Sequence, residues 1–205
     1  MLHHPAAHHL SFPETFHLRD GTVVTVRPMA VADRDLLPAF WESIPPSERL
    51  IAQDDMLASG ALDRVVADIE AGRATPILAL HDGRVVAEAT LARRLHGWTR
   101  HIGYVRCVVH PDFRRRGLAA HLIRTLVDLA AQVGLDKVMG QVLVEQRGER
   151  KLLEKIGFHK EAILKDHAVD LRGHRHGVVI MSNSVIELWR KMEDMILDAE
   201  FEVIP

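Results

Sequence analysis

The spacing of apolar residues predicts one strand and three helices in the first third of the chain. Apolar and polar residues alternate in GTVVTVRP, residues 21–28, and Pro28 ends this run, which is typical of a strand. Apolar residues then recur at helical spacing, with Asp33 as the cap of the first helix and Pro45 just beyond its end. The predicted helices cover residues 33–43, 47–58 and 62–71.

The middle of the chain has the pattern of three antiparallel strands. In PILALHDGRVVAEATLARRL, residues 76–95, two apolar runs flank Asp82 and Gly83, a pair that is typical of a tight hairpin turn. A second turn at His96 and Gly97 leads into the apolar segment HIGYVRCVV, residues 101–109. We therefore expect a three-stranded meander.

The second half of the chain alternates helices and strands. Residues 117–133 carry an apolar stripe at helical spacing, and the apolar segment KVMGQVLV, residues 137–144, follows as a strand. A short helix is expected over residues 150–156, and two strands over residues 162–169 and 176–181. A last helix is expected from about residue 184. A strand, a helix and a strand in succession imply one parallel crossover. The predicted fold class is α+β, with a mixed, mostly antiparallel sheet flanked by helices.

Composition and charge indicate one folded domain with no general affinity for polyanions. The 205 residues are 47% hydrophobic, and 26 basic residues face 28 acidic ones for a net charge of −2. This balance gives no overall attraction to nucleic acid or to a membrane, and neither is expected as a partner. Cys107 is the only cysteine, which excludes an internal disulfide and fits a reducing compartment. No apolar run reaches the roughly 20 residues that span a bilayer, so we expect a cytoplasmic protein.

Two groups of histidines could bind a metal, and we expect no metal at either. Four lie within the first nine residues, in a Pro-containing segment without fixed geometry, and residues 1–17 are expected to form a flexible tail. His174 and His176 lie two apart on a predicted strand and share a face. With His167 they could line an acceptor pocket, but an exposed turn is the favoured interpretation.

The stretch FRRRGLA, residues 113–119, joins the strand that ends near Val109 to the helix that begins at Gly117. The first N–H groups of a helix have no backbone partner and lie at the positive end of its dipole, so they favour an anion. Gly117 permits close approach of a ligand to the backbone, and Arg114, Arg115 and Arg116 add charge that suits phosphate. The expected ligand is a pyrophosphate, and a nucleic-acid patch is the less favoured alternative.

Two motifs resemble the GNAT acetyltransferase superfamily. Arg114, Gly117 and Ala119 follow a predicted strand in the order Arg-x-x-Gly-x-Ala, which is similar to the acetyl-CoA signature of that family. The later stretch EQRGERKLLEKIGF, residues 145–158, resembles its second motif, with Gln146 where Asn is common. The resemblance implies a GNAT fold over residues 18–182, with a helical insert at about 47–71 and a C-terminal helical extension over 183–205.

The opening segment resembles one branch of that family. Residues 18–50, LRDGTVVTVRPMAVADRDLLPAFWESIPPSERL, are similar to the start of GNAT domains in the bacterial protein-lysine acetyltransferase branch, where a strand ending in Arg-Pro leads to a helix. The resemblance implies acetyl-CoA as co-substrate and direct acetyl transfer to a primary amine, with a protein lysine as the leading acceptor. The alternatives are a small-molecule amine as acceptor and a non-catalytic acyl-CoA-binding regulatory module.

The resemblance also implies the cofactor contacts. Backbone amides of the strand over residues 104–109 would hold the pantetheine arm and polarise the thioester carbonyl. Amides from residues 115–119 would cradle the pyrophosphate. The implied cofactor-binding residues are Cys107, Val108, Val109, Arg114, Arg115, Arg116, Gly117, Leu118, Ala119 and Gln146.

Two catalytic groups that are frequent in the family have no direct counterpart in this sequence. Relatives that acetylate lysine often carry Glu on the strand before the signature, a place that falls on Gly103 or Tyr104. The second missing group is the tyrosine of the second motif, which often protonates the thiolate in the family, and Leu153 lies near its place. The candidate catalytic residues are therefore Tyr104, which could relay a proton through water, and the carboxylates Glu88 and Glu145, which could substitute for the missing glutamate. Each also has a structural alternative, as a core aromatic or as a solvated strand residue.

The last predicted helix lies beyond the usual end of the GNAT fold. Its apolar residues recur at helical spacing from Val185 to Ile196. Packing on its own domain is the favoured interpretation, and a contact in a homodimer is the alternative.

Overall fold

One twisted sheet of eight strands forms the centre of the computed structural model, which describes residues 10–191. The strands lie in the order β1-β2-β3-β4-β5-β6-β8-β7. Their bounds are β1 Glu14–His17, β2 Val23–Pro28, β3 Ala74–His81, β4 Arg84–Arg93, β5 Ile102–Val109, β6 Lys137–Leu143, β7 His159–Val169 and β8 Arg175–Ser184. Neighbouring strands are antiparallel except β5 and β6, which are parallel.

Helices cover both faces of the sheet. Their bounds are α1 Leu37–Ser43, α2 Pro46–Arg49, α3 Ala61–Glu70, α4 Leu118–Gln132 and α5 Arg147–Ile156, and a sixth helix, α6, begins at Val185 and is described to residue 191. Alternate residues of β3 point to opposite faces, so Leu78 joins the core under α1 and α3, whereas Ile77 and Ala79 join the larger core under α4, α5 and α6. The helix α4 connects the parallel strands β5 and β6.

The structure confirms the predicted α+β fold class. The meander β3-β4-β5 turns at Asp82-Gly83 and in the segment between Arg93 and Ile102, and the single parallel pair of the described sheet is the predicted crossover. The helix α4 was expected over residues 117–133, and Gly117 lies just before its first residue with a φ of 93°.

The predicted helix over residues 47–58 is wrong. Only Pro46–Arg49 is helical, and the chain then turns repeatedly until α3 begins at Ala61. Asp55 explains part of this, because its carboxylate accepts a hydrogen bond from the N–H of Leu57 at 3.2 Å and so competes with helical bonding. The side chain of Met56 is buried against the α1 core and anchors this loop.

The first helix also starts differently from its prediction. A 3-10 turn over Val31–Leu36 precedes α1, and Asp33 lies inside this turn instead of before it. The Asp33 carboxylate accepts the N–H of Ala30 at 2.8 Å and pairs with Arg27 at 2.5 Å. Asp33 thus fastens the end of β2 to the start of the helical region.

The two ends of the described chain pack on the domain. The strand β1 pairs with β2, so the expected flexible tail over residues 1–17 is wrong for residues 14–17, and residues 1–9 lie outside the described part. At the other end β8 runs to Ser184, and Val185, Leu188 and Trp189 of α6 are buried in the larger core. The rest of the apolar pattern of this helix, on which the homodimer alternative also rests, lies beyond residue 191 and outside the described part.

Among the helices of the described residues, none is long and apolar enough to cross a membrane.

Candidate active site

The sheet opens between β5 and β6 at its centre. The two strands pair from Ile102 with Lys137 to Val105 with Gly140, where the pairing stops. Beyond this point β5 continues beside β4 as far as Val109, and β6 continues beside β8 as far as Leu143. The backbone groups of residues 106–109 that face β6 therefore have no strand partner in the described sheet. We call this opening the fork.

The chain leaves the fork through the loop of residues 114–117, which we call the cradle together with the first turn of α4. Arg115 and Gly117 have φ values of 60° and 93°, in the left-handed region. In the described part of the chain no hydrogen bond is formed by the N–H groups of residues 115–119, which include the first residues of α4. These amides, the dipole of a 15-residue helix and the absence of a side chain on Gly117 suit a bound phosphate.

The three predicted phosphate-binding arginines have different positions. The Arg114 guanidinium is bound by Glu48 of α2, with Nη1 to Oε1 at 2.8 Å and Nη2 to Oε2 at 2.6 Å. The Arg116 guanidinium pairs with Asp20 at 2.7 Å and lies 5.7 Å from the ring centre of Phe113. Arg115 is exposed and has no ion pair with a described residue. Two of the three arginines therefore fasten the cradle to the domain.

The other predicted cofactor-binding residues lie along the fork and the cradle. Cys107, Val108 and Val109 form the free edge of β5, and Leu118 and Ala119 begin α4. The Cys107 side chain packs against the larger core, and burial raises the pKa of its thiol to about 12. Gln146 follows β6, and its side-chain oxygen accepts the N–H of Leu143 at 2.8 Å.

Glu88 is buried at the centre of the sheet. It is 2% exposed, and one carboxylate oxygen accepts a hydrogen bond from the Trp41 indole at 3.1 Å. The other oxygen accepts bonds from the Thr90 hydroxyl and from Nη2 of Arg106, each at 3.3 Å. These three donors satisfy the buried carboxylate, and its bond to Nη2 holds the Arg106 side chain in place. The Arg106 guanidinium also pairs with Asp54 in the loop before α3.

A cavity of about 320 Å³ lies beside the fork on the face covered by α3. Alternate residues of three strands form its floor, and α3 and the preceding loop form its walls. Its floor consists of Ala74, Pro76, Thr90, Ala92, Tyr104 and Arg106. The chain's single tyrosine, Tyr104, is half-buried there. The row of small residues at alternate positions of β3 and β4 is the signal in the sequence for this cavity, and neither this row nor Arg106 is among the predicted site residues.

Gly103 and Leu153, which lie at or near places where family residues are missing, face the core. A Cβ on Gly103 would lie 2.7 Å from a methyl group of Leu91 and 2.9 Å from one of Leu135. Gly103 therefore leaves no room for a carboxylate side chain. Leu153 of α5 is buried, and one of its methyl groups lies 3.0 Å from the place of a Cβ on Gly140.

Glu145 belongs to a separate polar cluster at the tip of the β7-β8 hairpin. Its carboxylate pairs with Nδ1 of His176, whose Nε2 lies 3.4 Å from Asp170, and Asp170 also binds His174 at 3.1 Å. The Glu145 hydrogen bond raises the pKa of His176. No hydrogen bond or ion pair links this cluster to Glu88 or Tyr104 in the described residues.

The His167 side chain forms no hydrogen bond or ion pair with a described residue. Among the described residues no cluster of histidine, cysteine or carboxylate side chains could hold a metal ion.

This combination of fork, cradle and mixed sheet is that of an acetyl-CoA-dependent acetyltransferase. The chain matches the acetyltransferase (GNAT) family over residues 35–158, more than half of its length, and it belongs to that family. Membership makes the protein an N-acetyltransferase with acetyl-CoA as co-substrate and confirms the predicted GNAT fold. No curated protein matches the sequence.

Solved structures share the fold at low sequence identity. The GNAT domain of S. lividans PAT has a TM-score of 0.68 at 21% identity, and the match covers 83% of this chain and 96% of that domain. The ribosomal-protein-S5-alanine acetyltransferase of Vibrio fischeri has a TM-score of 0.69 at 12% identity, with 83% and 96% covered. YncA of Salmonella typhimurium, solved with its cofactor acetyl-CoA, has a TM-score of 0.66 at 18% identity, with 79% and 94% covered.

Proposed function

We propose that the protein transfers the acetyl group of acetyl-CoA directly to a primary amine, with a protein lysine as the leading acceptor. The observation that carries this proposal is the continuity of β5, which forms one edge of the fork and leads directly into the cradle. A linear cofactor with a phosphate-rich end and a thioester end fits two adjacent sites of this kind.

The fork and the cradle have complementary tasks in this proposal. Those amides of residues 106–109 that face the fork donate to the pantetheine arm and polarise the thioester carbonyl, and the amides of residues 115–119 bind the diphosphate. Gly117 is essential here, because a side chain at this position would project into the space where the diphosphate approaches the backbone. The cofactor supplies the activated acetyl group, and the chain aligns it with the acceptor.

The cavity beside the fork is the proposed acceptor site. The amine nitrogen forms a bond to the acetyl carbon as the carbon–sulfur bond breaks, the amine loses a proton and the thiolate takes one up. An amine with a pKa of about 10.4 is mostly protonated at pH 7, and its neutral form costs about 4.6 kcal/mol. Tyr104 lines the cavity and is the proposed proton relay through water.

The other two candidate catalytic residues have different roles in this proposal. Glu88 is a positioning residue, because its carboxylate is buried and holds Arg106 at the cavity floor. Glu145 is paired with His176 at the hairpin tip and stabilises that turn.

The choice of a protein lysine rests on the opening segment, residues 18–50, which resembles the protein-lysine acetyltransferase branch. The S. lividans PAT domain shares the fold, and two solved neighbours are named as ribosomal-protein-alanine acetyltransferases. A small-molecule amine is the second candidate acceptor, because the cavity of about 320 Å³ could enclose one. A single cysteine in the chain favours a cytoplasmic location.

Calorimetry with acetyl-CoA tests the cofactor site. We expect micromolar binding by the wild type and no measurable binding by Gly117→Glu, which places a side chain and a negative charge in the cradle. Gly134→Glu is the matched control, because Gly134 also has a left-handed φ, of 73°, but lies at the other end of α4 with no heavy atom within 4 Å of its Cβ position. Equal loss in both variants would indicate a folding defect.

A thiol-release assay then tests the acceptor. The panel contains lysine peptides, peptides with N-terminal alanine and small amines. Turnover that is fastest with lysine peptides supports the proposed acceptor. Turnover confined to alanine peptides or small amines would reject the lysine while leaving the acetyltransferase reaction intact.

A further inference from the structure

The turn between β1 and β2, residues 18–22, lies against the cradle. The N–H of Arg19 donates to the carbonyl oxygen of Arg116 at 3.1 Å. The next residue, Asp20, holds the Arg116 guanidinium at 2.7 Å. The N-terminal hairpin is therefore bonded to the cradle through both a backbone and a side-chain contact, although residues 1–34 precede the segment that matches the family.

The Arg19 side chain lies over Gly117. Its Cγ and Nε are each 3.9 Å from the place that a Cβ on Gly117 would occupy. Arg19 is exposed and, among the described residues, forms no ion pair. Asp20 and Glu48 balance the charges of Arg116 and Arg114. The arginines that remain without a carboxylate partner at the cradle are thus Arg19 and Arg115.

The hairpin that carries Arg19 is held in place by α4. The Phe16 ring stacks on the His121 ring with centroids 3.8 Å apart and 6° between planes, and Glu14 binds His121 at 3.2 Å. Leu18 is buried in the larger core, and its N–H donates to Thr22 across the turn at 2.8 Å. The backbone of Arg19 is therefore fixed before a ligand arrives, which reduces the entropy that binding would cost.

We propose that Arg19 is a cofactor-binding residue supplied by the N-terminal hairpin, and that it pairs with the diphosphate of acyl-CoA at Gly117. This inference rests on the proposed cofactor site. A guanidinium at this position adds two or more charge-assisted donors to the backbone amides of the cradle. The hairpin then belongs to the acyl-CoA site although it precedes the signature by about a hundred residues of chain.

Calorimetry with CoA and with dephospho-CoA, which lacks only the 3′-phosphate, tests the proposal on the full chain. We expect Arg19→Gln to weaken the binding of both ligands by the same factor, about tenfold or more. Arg100→Gln is the matched control, because Arg100 is also exposed and lies in the β4-β5 turn at the opposite end of β5. Thermal unfolding of Arg19→Gln should match the wild type, since the substituted side chain forms no ion pair.

Three outcomes would overturn the inference in different ways. If the wild type binds CoA and Arg19→Gln binds it equally well, Arg19 is not part of the site, while the proposed function stands. If the loss appears with CoA but not with dephospho-CoA, Arg19 contacts the 3′-phosphate and the diphosphate assignment is wrong. If the wild type binds neither ligand, the proposed cofactor site fails and this inference with it.

Discussion

Arg114, the first residue of the acetyl-CoA signature, binds Glu48 through two parallel hydrogen bonds of 2.8 and 2.6 Å. Its Nε also donates to the carbonyl oxygen of Val109 at 2.8 Å. The hydrogen bonds to Glu48 raise the pKa of Arg114 although burial opposes the shift. One side chain thus joins α2 to the point where β5 ends and the cradle begins.

The first prediction concerns this pair. Arg114→Gln should lower the free energy of unfolding by about 1 kcal/mol, since the pair is bidentate but partly exposed to solvent. Urea denaturation of the wild type, Arg114→Gln, Glu48→Gln and the double variant would measure a coupling free energy of similar size. Acetyl-CoA affinity should fall equally in the two single variants. A large loss in Arg114→Gln alone would show that Arg114 contacts the cofactor directly.

The second prediction distinguishes a positioning role of Glu88 from a role as general base. Glu88→Gln removes the negative charge beside Arg106 in a buried site, so we expect a loss of about 1–3 kcal/mol in the free energy of unfolding. The acid limb of the pH profile of kcat/KM should persist in this variant. Unchanged stability together with loss of that limb would instead identify Glu88 as the base. Glu145→Gln, which removes the same charge at an exposed site, is the control.

The parts of the fold that follow from local pattern were predictable. The meander has turn residues between apolar runs, and α4 has a long apolar stripe with glycine on either side, so each signal lies within about 20 residues of chain. The loop after α2 was predicted as helix because the positions of its apolar residues, Ile51, Ala52 and Met56, are compatible with helical spacing. The structure of this loop depends on the turn formed by Asp55 and on the burial of Met56. The spacing of apolar residues along the sequence gives no information about either effect.

The site was predictable only where its backbone defines it. The signature places Gly117 at the start of α4, and the structure has it there. The side-chain partners in the site could not be predicted, because Glu48 lies 66 residues from Arg114 and Glu88 lies 18 residues from Arg106. No spacing rule connects such pairs. Tertiary packing brings them together, and it also assigns Glu145 to the hairpin tip.

The third prediction tests the cavity as the acceptor site. Ala92→Leu places a larger side chain on the cavity floor, so KM for the amine should rise about tenfold while the affinity for acetyl-CoA stays within about twofold. Ala67→Leu, on the exposed side of α3, is the matched control and should leave both constants unchanged. Equal amine kinetics in Ala92→Leu and the wild type would place the acceptor elsewhere.

The fourth prediction concerns the pH dependence of stability at the N-terminal hairpin. Burial under Phe16 lowers the pKa of His121 below its ordinary value of 6.5, although Glu14 opposes the shift. The unfolded chain therefore takes up this proton at higher pH than the folded chain. The stability that neutral His121 contributes is complete above pH 6.5 and is lost as the pH falls through the lowered pKa.

His121→Gln should accordingly lose less stability than the wild type when urea denaturation is repeated at falling pH below 6.5. His176 provides a control of opposite sign, because its hydrogen bond to Glu145 raises its pKa. Its contribution is complete below pH 6.5 and is lost as the pH rises through the raised value, so His176→Gln should flatten the alkaline side instead. If His121→Gln and the wild type have the same slope on the acid side, His121 is not held neutral, and the packing of β1 against α4 does not depend on its charge.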